Sequence, residues 1–334
     1  MAIANQLKAL LKSHADGDEE RFYSVAMQLA AHEAKIGHGK LAEELRDLVD
    51  QAKARRGLPP KDAAKAVPIG RPRGELAGLL SVDYPKNHLG EMVLDESLAY
   101  QLNRIIREQR QASRLLSHGL SPRRKLLLMG PPGTGKTMTA SILAGELGLP
   151  LFLVRLDGLI TKYMGETAAK LRQVFDATDR TRGVYFFDEF DAIGSQRGLA
   201  NDVGEVRRIL NSFLQMIEQD ESHSLIVAAT NHPEILDHAL LRRFDDILHY
   251  ALPDETHIAA VLKSRLGEKT AKGVSWKRLA SKAKGLSYAE VVRACNETLK
   301  DALMGERKTI SEANIRQAIL DRCQMADRFR NTAQ

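Results

Sequence analysis

The stretch GPPGTGKT, residues 130–137, combines glycines, a lysine and a threonine in the pattern G-x-x-x-x-G-K-[ST]. Glycines at this spacing let backbone N–H groups curl around phosphate oxygens, and the helix expected to follow adds positive partial charge at its start. Lys136 is long enough to reach the β and γ phosphates of a nucleotide, and the hydroxyl of Thr137 can ligate Mg²⁺. The pattern therefore predicts a nucleotide phosphate site with contacts from Pro132, Gly133, Thr134, Gly135, Lys136, Thr137 and Met138.

An acidic pair ends a second apolar stretch, within VYFFDEFDAIG at residues 184–194. A buried strand here would deliver Asp188 at its carboxyl end, where the carboxylate can hold Mg²⁺ directly or through water. Glu189 then stands where it can polarise a water molecule aimed at the γ-phosphate, which is a general-base role. Because binding alone would not require the glutamate, the pair indicates hydrolysis. Asp191 fits a solvated turn.

A polar residue also follows the apolar stretch LIVAAT, residues 225–230. The amide of Asn231 can hydrogen-bond the attacking water or the γ-phosphate from a neighbouring strand end. An asparagine after a strand is usually a turn residue, however. The residues alone leave both interpretations open.

These chemical residues lie among alternating strand and helix patterns. Short apolar runs suit strands that are covered on both faces, and helical segments separate them. Such alternation predicts an α/β fold in which a parallel sheet carries helices on both faces. After Pro253 the pattern is helical through about residue 326. Strands are predicted at residues 125–129, 151–156, 184–188 and 225–230, and a charged helix around 95–117.

The amino-terminal part of the chain has a different pattern. Residues 1–56 place apolar side chains at helical spacing in three stretches, and three short helices can bury one small core. We therefore predict a separate three-helix bundle. Residues 57–80 are rich in proline and glycine and show little apolar periodicity, which is typical of a semi-extended linker.

Composition narrows the classes of function. With 43% hydrophobic and 28% charged residues over 334 positions, the chain is ordinary for a globular protein of two or three domains. The net charge of +6 permits nucleic-acid contact, but the basic residues at 55–56, 71–73 and 123–125 are scattered, so a solvated surface is the better interpretation. No run reaches the ~18 apolar residues of a membrane helix. Cys295 and Cys323 lack metal-ligand or CxxC spacing, which fits reduced thiols in the cytoplasm.

In this order the motifs resemble those of the AAA family of P-loop ATPases, over about residues 81–326. GPPGTGKT is similar to the family's Walker A motif and FFDEFDAIG to its Walker B motif, and the resemblance makes Asn231 the sensor 1 residue. It implies ATP as the nucleotide, with Mg²⁺. It also implies a P-loop NTPase fold, with a large α/β nucleotide-binding subdomain at 81–253 and a helical lid subdomain at 254–330.

Arginines later in the chain fit the same family pattern. LLRRFDD resembles the arginine-finger segment, so Arg242 and Arg243 are candidates to reach the γ-phosphate of an adjacent subunit. Many members separate two arginines by Pro-Gly, and their adjacency here leaves open which one reaches the neighbour. GLSYAEVV resembles the start of the lid helix, with Tyr288 where glycine is common and Glu290 where aspartate is usual. Arg293 is a candidate sensor 2 residue, although a solvent-facing arginine is the simpler interpretation.

KYMGE, residues 162–166, matches the family's aromatic–hydrophobic–glycine triplet, which faces the pore of a ring. Tyr163 would grip an unfolded chain by apolar contact, Met164 would add an adaptable surface, and Gly165 would let the loop swing. The alternative is that Tyr163 packs against its own subunit. We expect this segment to be a loop.

The resemblance implies a homo-oligomeric ring, usually of six subunits, that remodels or unfolds protein substrates. A nucleic-acid-dependent motor or loader is the alternative, supported by the basic charge, and a non-catalytic nucleotide switch is disfavoured by Glu189. The bundle at 1–56 is the expected adaptor for a substrate or a partner protease. Because the 334 residues contain no HExxH motif, that protease would be a separate protein. No membrane contact is expected.

Overall fold

The structure, a computed structural model, describes residues 76–159, 164–190, 203–235, 241–306 and 309–332, with a few residues between 25 and 49. The chain divides into two compact units, Met1–Pro68 and Ile69–Gln334. The predicted bundle at 1–56 lies largely outside the described residues, and those that are described there are helical.

The described residues of the second unit form a six-stranded sheet with the order β1-β3-β4-β5-β2-β6. Strands β2 to β6 are parallel to one another, and β1 is antiparallel to β3 at one edge. The prediction of a parallel sheet is therefore confirmed. The strands are β1 Leu80–Asp83, β2 Lys125–Met129, β3 Leu151–Val154, β4 Val184–Phe187, β5 Leu225–Thr230 and β6 Asp246–His249.

Both faces of this sheet are covered, which explains why its central strands read as continuous apolar runs. Along β2, Leu126 and Leu128 belong to the core on one face, whereas Leu127 and Met129 belong to the core on the other. This alternation follows from the period of two along a strand. The helices of the sheet region are α1 Leu76–Leu79, α2 Glu96–Arg110, α3 Ala112–Leu116, α4 Lys136–Leu147, α5 Leu156–Leu159, α6 Met164–Arg180 and α7 Val203–Gln219.

The last part of the chain is helical, as predicted. It has its own hydrophobic core, centred on residues such as Ile258, Leu262, Val291 and Ile315. Val93, from the segment before α2, packs against this core. The helices are α8 Glu255–Leu266, α9 Trp276–Lys282, α10 Tyr288–Met304 and α11 Glu312–Thr332.

Several expectations about elements and charges need correction. Leu76–Leu80 was expected to be linker but forms α1 and the start of β1, with Leu79 and Leu80 buried. Strands β1 and β6 were not predicted. Arg123 and Arg124 were expected on a solvated surface, but they form ion pairs with Asp246 and Asp220 in which both arginine side chains are largely covered.

The helix predicted around 95–117 is interrupted at Gln111, which separates α2 from α3. Asp95 begins α2, because its side chain accepts a hydrogen bond from the backbone N–H of Leu98 at 3.0 Å. Among the described residues, no helix combines the length and the apolar content needed to cross a membrane.

Candidate nucleotide site

The loop at residues 130–137 connects β2 to α4, as the sequence predicts for a phosphate-binding loop. Gly130, Gly133 and Gly135 have φ values of 151°, 75° and 105°, which side chains with a Cβ adopt only at a cost. Gly135 is the residue that caps the amino end of α4. The start of a helix favours anions, because its first N–H groups have no acceptor within the helix.

Lys136, the first residue of α4, is 6% exposed. Its ammonium donates to the backbone oxygens of Gly130 at 2.7 Å and Pro131 at 2.9 Å, and to Asn231 Oδ1 at 2.7 Å. These acceptors offset the cost of burying a charge. Lysine from the loop and asparagine from the end of β5 therefore lie in direct contact.

Thr137 and Asp188 also meet. The Thr137 hydroxyl donates to Asp188 Oδ2 at 2.9 Å. The contact follows from topology, because β4, β5 and β2 are parallel neighbours and their carboxyl ends lie at one edge of the sheet. A hydroxyl and a carboxylate side by side are hard oxygen donors of the kind that Mg²⁺ prefers, so the residues present fit that ion.

Glu189 has a backbone conformation that is rare for its residue type, with φ of 49°. Its backbone N–H donates to Asp188 Oδ1 at 3.0 Å. The next residue, Phe190, is fully buried, and its N–H donates to Ala229 O at 3.0 Å. The chain thus turns sharply back into the core after β4 and leaves the Glu189 side chain exposed at the edge that carries the phosphate loop.

A buried contact between α4 and the residue after β6, which the sequence did not reveal, lies next to the phosphate loop. The Thr139 hydroxyl and the Tyr250 hydroxyl lie 2.6 Å apart, and both residues are buried. Burial raises the pKa of the Tyr250 phenol above its usual range. A Cβ on Gly130 would lie 2.2 Å from Tyr250 O, so the residue after β6 also fixes the start of the loop.

The lid helix α10 touches the loop directly. Its N-cap Ser287 accepts a hydrogen bond from Glu290 N at 3.3 Å, and Ala289 N donates to Gly133 O at 3.0 Å. Tyr288 is half-buried there, and burial raises its pKa to about 12. Arg293, one turn further along, lies 3.7 Å from Glu290 with most of its side chain exposed, which agrees with the solvent-facing interpretation.

Arg242 and Arg243 lie away from the phosphate loop of the same chain. They precede β6. The following Asp245 accepts hydrogen bonds from the backbone N–H groups of Arg124 and Lys125, at the edge of the sheet where the parallel strands begin, which we call the amino edge. Arg243 Nε lies 3.2 Å from Glu218 Oε2 at the end of α7, whereas Arg242 is exposed. The two arginines and the phosphate loop therefore occupy opposite edges of the sheet.

The expected pore segment is described only in part. Tyr163 lies outside the described residues. Met164 and Gly165 were expected in a loop, but their backbone forms the first turn of α6. Glu166 in that turn favours a helix start, because a negative charge is stabilised near the positive end of the helix dipole.

Comparison with known proteins supports a family assignment. The profile of the ATPase family associated with various cellular activities (AAA) matches residues 126–252. The uncharacterized AAA family ATPase y4kL of Sinorhizobium fredii is 34% identical over 321 residues, which cover 96% of this chain and 96% of the relative. ATP-dependent zinc metalloprotease FtsH 3 of Sphaerobacter thermophilus is 33% identical over 255 residues, covering 74% of this chain.

The chain spans 52% of that FtsH relative, about half its length. Among solved structures, the FIGL-1 AAA domain superposes with a TM-score of 0.57 at 23% identity, covering 72% of this chain and 85% of that domain. That likeness supports the fold. With y4kL matched along nearly the whole of both sequences, the chain belongs to the AAA family, and it is a nucleotide-binding ATPase with the P-loop NTPase fold.

Proposed function

We propose that this ATPase is a ring-forming motor that remodels or unfolds protein substrates by drawing them past Tyr163, Met164 and Gly165. The observation that supports a ring is the position of Arg242 and Arg243 at the edge of the sheet opposite the phosphate loop. Arginines at that edge lie too far from the nucleotide site of the same chain to contact it. A role in hydrolysis therefore requires a second copy of the chain. A head-to-tail contact of this kind closes into a ring when the rotation permits, and six subunits is the expected number.

In the proposed hydrolysis, Glu189 accepts a proton from a water molecule as the water oxygen bonds to the γ-phosphorus. The bond from that phosphorus to the β–γ bridging oxygen then breaks, which yields ADP and inorganic phosphate. Lys136 and Asn231 hold the γ-phosphate oxygens, and the N–H groups at the start of α4 hold the inner phosphates. Thr137 and Asp188 would hold Mg²⁺, which when bound neutralises phosphate charge.

The two arginines divide their roles in this proposal. Arg243 Nε lies 3.2 Å from Glu218 Oε2 of the same chain, which favours a position within its own subunit. Arg242 is exposed one residue earlier and is the better candidate to reach the neighbour's γ-phosphate, where a guanidinium would stabilise transition-state charge. We therefore propose Arg242 as the finger residue.

The partners remain proposals of the same kind. The name of the FtsH relative contains both ATP dependence and proteolysis. We propose a protease or adaptor as partner, recruited through residues 1–56, and a cytoplasmic location in keeping with the free thiols Cys295 and Cys323.

A test of the motor uses an unfolded protein, fluorescently labelled casein, as the probe. ATP turnover of the full chain should rise when casein is added, and Tyr163→Ala should keep its basal turnover while losing that rise. Removing an aromatic that only grips substrate leaves the nucleotide site intact. Casein binding in the presence of a slowly hydrolysed ATP analogue should weaken in parallel.

The matched control is Tyr100→Ala, because Tyr100 is 61% exposed on α2 and lies outside the proposed pore segment. This variant should behave as wild type. Equal loss of basal and casein-stimulated turnover in Tyr163→Ala would contradict a gripping role. Stimulation by single-stranded DNA with steep salt dependence, and none by casein, would favour the nucleic-acid alternative.

A further inference from the structure

We infer that Glu146, a residue outside the phosphate loop, is a positioning residue for nucleotide binding. It acts through residues 87–92, which we call the strap, by holding Met92 against the loop glycine Gly135. The inference rests on the proposed assignment of the phosphate loop, and it adds a determinant of affinity that none of the sequence motifs contains.

Hydrogen bonds within the strap connect its residues to one another. It contains a single turn of 3-10 helix in which His88 N donates to Glu91 Oε1 at 2.8 Å and Asn87 Nδ2 donates to Glu91 Oε2 at 2.9 Å. Met92 N donates to Leu89 O at 3.1 Å. Because these bonds connect its two ends, a displacement at Leu89 is transmitted to Met92.

One end of the strap is fixed to the last turn of α4. Glu146 Oε1 accepts from Leu89 N at 3.0 Å, and Glu146 Oε2 accepts from Arg110 Nη2 at 2.7 Å. The hydrogen bond from the Leu89 N–H lowers the pKa of the Glu146 carboxyl below its usual range, and the hydrogen bond from the Arg110 guanidinium lowers it further to a smaller extent. A Cβ on Gly145 would lie 2.3 Å from Asn87 O, so the strap backbone lies directly on the helix backbone.

The other end lies on the first turn of α4. A Cβ on Gly135 would lie 2.7 Å from Met92 Cε, and Gly135 has φ of 105°, so the methionine packs against a position that only glycine fills easily. The Thr139 hydroxyl lies 3.8 Å from Met92 Sδ. The next residue, Val93, packs against the helical core of the lid.

The strap therefore holds both ends of the helix whose amino end is proposed to bind phosphate. Glu146 accepts the Leu89 N–H and so anchors the strap, and the terminal methyl of Met92 in turn packs over Gly135, the residue that caps the amino end of α4. If the acceptor is lost, the strap is free to shift on α4 and the loop loses its support. The expected consequence is weaker nucleotide binding with an unchanged hydrolytic step.

The test measures the affinity for the fluorescent nucleotide mant-ADP, together with kcat and KM for ATP, in the full chain. Glu146→Ala should weaken mant-ADP binding and raise KM about threefold to tenfold, the range of one lost hydrogen bond, with kcat within about twofold of wild type. Glu146→Gln keeps an oxygen acceptor for Leu89 N and should restore most of the affinity. Arg110→Ala removes the guanidinium that donates to Glu146 but keeps the Leu89 N–H contact, and it should leave affinity near wild type.

A double-mutant cycle tests the route through Met92. In the Met92→Ala background, Glu146→Ala should add little further loss of affinity, because the group through which it acts is already gone. Full additivity of the two changes would overturn the inference. So would a fall in kcat at unchanged KM, or a Glu146→Gln variant as weak as Glu146→Ala.

A wrong assignment of the phosphate loop would give a different experimental result from a wrong assignment of the strap. Lys136→Ala should bind mant-ADP far more weakly than any strap variant. If Lys136→Ala binds as wild type does, the assignment of the loop is wrong. If Lys136→Ala is weak and Glu146→Ala is normal, the strap inference alone is overturned.

Discussion

Both edges of the parallel sheet are rich in polar side chains, but these side chains find their partners in different ways. At the amino edge, Arg124 pairs with Asp220, whose other oxygen accepts from the Thr178 hydroxyl at 2.7 Å. The Asp220 side chain is 3% exposed. At the carboxyl edge, by contrast, Glu189 is exposed and the N–H groups at the start of α4 have no acceptor within their helix.

The comparison distinguishes polar side chains that stabilise the fold from polar side chains that are expected to act in ATP hydrolysis. The amino edge joins strands and helices that are distant in the sequence, and its donors and acceptors satisfy one another. The carboxyl edge also has mutual contacts, Lys136 with Asn231 and Thr137 with Asp188, but they join residue types that would bind phosphate and Mg²⁺ in the proposed function. We therefore expect substitutions at the amino edge to change the free energy of unfolding, and substitutions at the carboxyl edge to change ATP hydrolysis.

The largest effect should come from Glu189→Gln at the carboxyl edge. The amide cannot accept the proton of the attacking water, so kcat for ATP should fall by about 10²–10⁴, the usual contribution of a general base. Because the side chain is exposed, the free energy of unfolding should change by less than about 0.5 kcal/mol. Phosphate release and urea denaturation measure the two quantities on the same preparation.

ATP binding by Glu189→Gln should stay within a few-fold of wild type, since the change leaves the phosphate loop untouched. Hydrolysis at the wild-type rate would contradict the general-base role and revive the nucleotide-switch hypothesis. Loss of folding together with loss of activity would instead show that the turn after β4, with its positive φ at Glu189, tolerates no change of side chain.

The residues at the carboxyl edge could be selected from the sequence, because the chemistry expected of them needs fixed residue types within short stretches. GPPGTGKT lies within eight consecutive residues, and Asp188 and Asn231 each follow an apolar run directly. Parallel pairing of the strands then brings the three stretches together, so the motifs and the fold point to the same edge. The assignment of Arg242 and Arg243 depended on family resemblance, and their position relative to the sheet came from the structure.

The sequence did not predict the amino edge, because its pairs are separated by long stretches of chain. Arg124 and Asp220 are 96 residues apart, and Arg123 and Asp246 are 123 residues apart. In a linear reading, RRK at 123–125 is one more scattered basic cluster. Strand β1 was missed for a related reason: LSVD is short and follows a proline-rich segment, and it becomes recognisable only through its pairing with β3.

A second, smaller effect is expected from Asp220→Ala at the amino edge. This change leaves the largely buried Arg124 guanidinium without its carboxylate and removes an acceptor from Thr178 and Ser222. Breaking a buried ion pair from one side costs about 3–5 kcal/mol of the free energy of unfolding. Urea denaturation measures the loss, and ATP turnover per folded molecule should stay near wild type.

The control for this change is Glu221→Ala, which removes a neighbouring acidic residue that is exposed. It should change the free energy of unfolding by less than about 0.5 kcal/mol. If Asp220→Ala were as stable as Glu221→Ala, the pairs at the amino edge would contribute no net stability. If Asp220→Ala lost ATP turnover while remaining folded, the separation between the two edges would be wrong.

The smallest effect should come from Tyr185→Phe. The Tyr185 hydroxyl, near the amino end of β4, donates to Ala177 O at 2.7 Å and lies 3.0 Å from Thr181 O. Phenylalanine keeps the ring stacked on Phe152, at a centroid distance of 4.7 Å, so only the hydrogen bond is lost. The free energy of unfolding should fall by about 1 kcal/mol, with no change in ATP turnover.

The exposed Tyr100→Phe serves as control and should leave stability unchanged. A loss much greater than about 1 kcal/mol in Tyr185→Phe would mean that the hydroxyl acts as part of the Asp220 network rather than as a single hydrogen bond. Combining Tyr185→Phe with Asp220→Ala separates the two cases. If the loss in the double variant equals the sum of the two single losses, the contacts are independent. If the loss in the double variant is smaller than that sum, the amino edge responds as one cooperative unit.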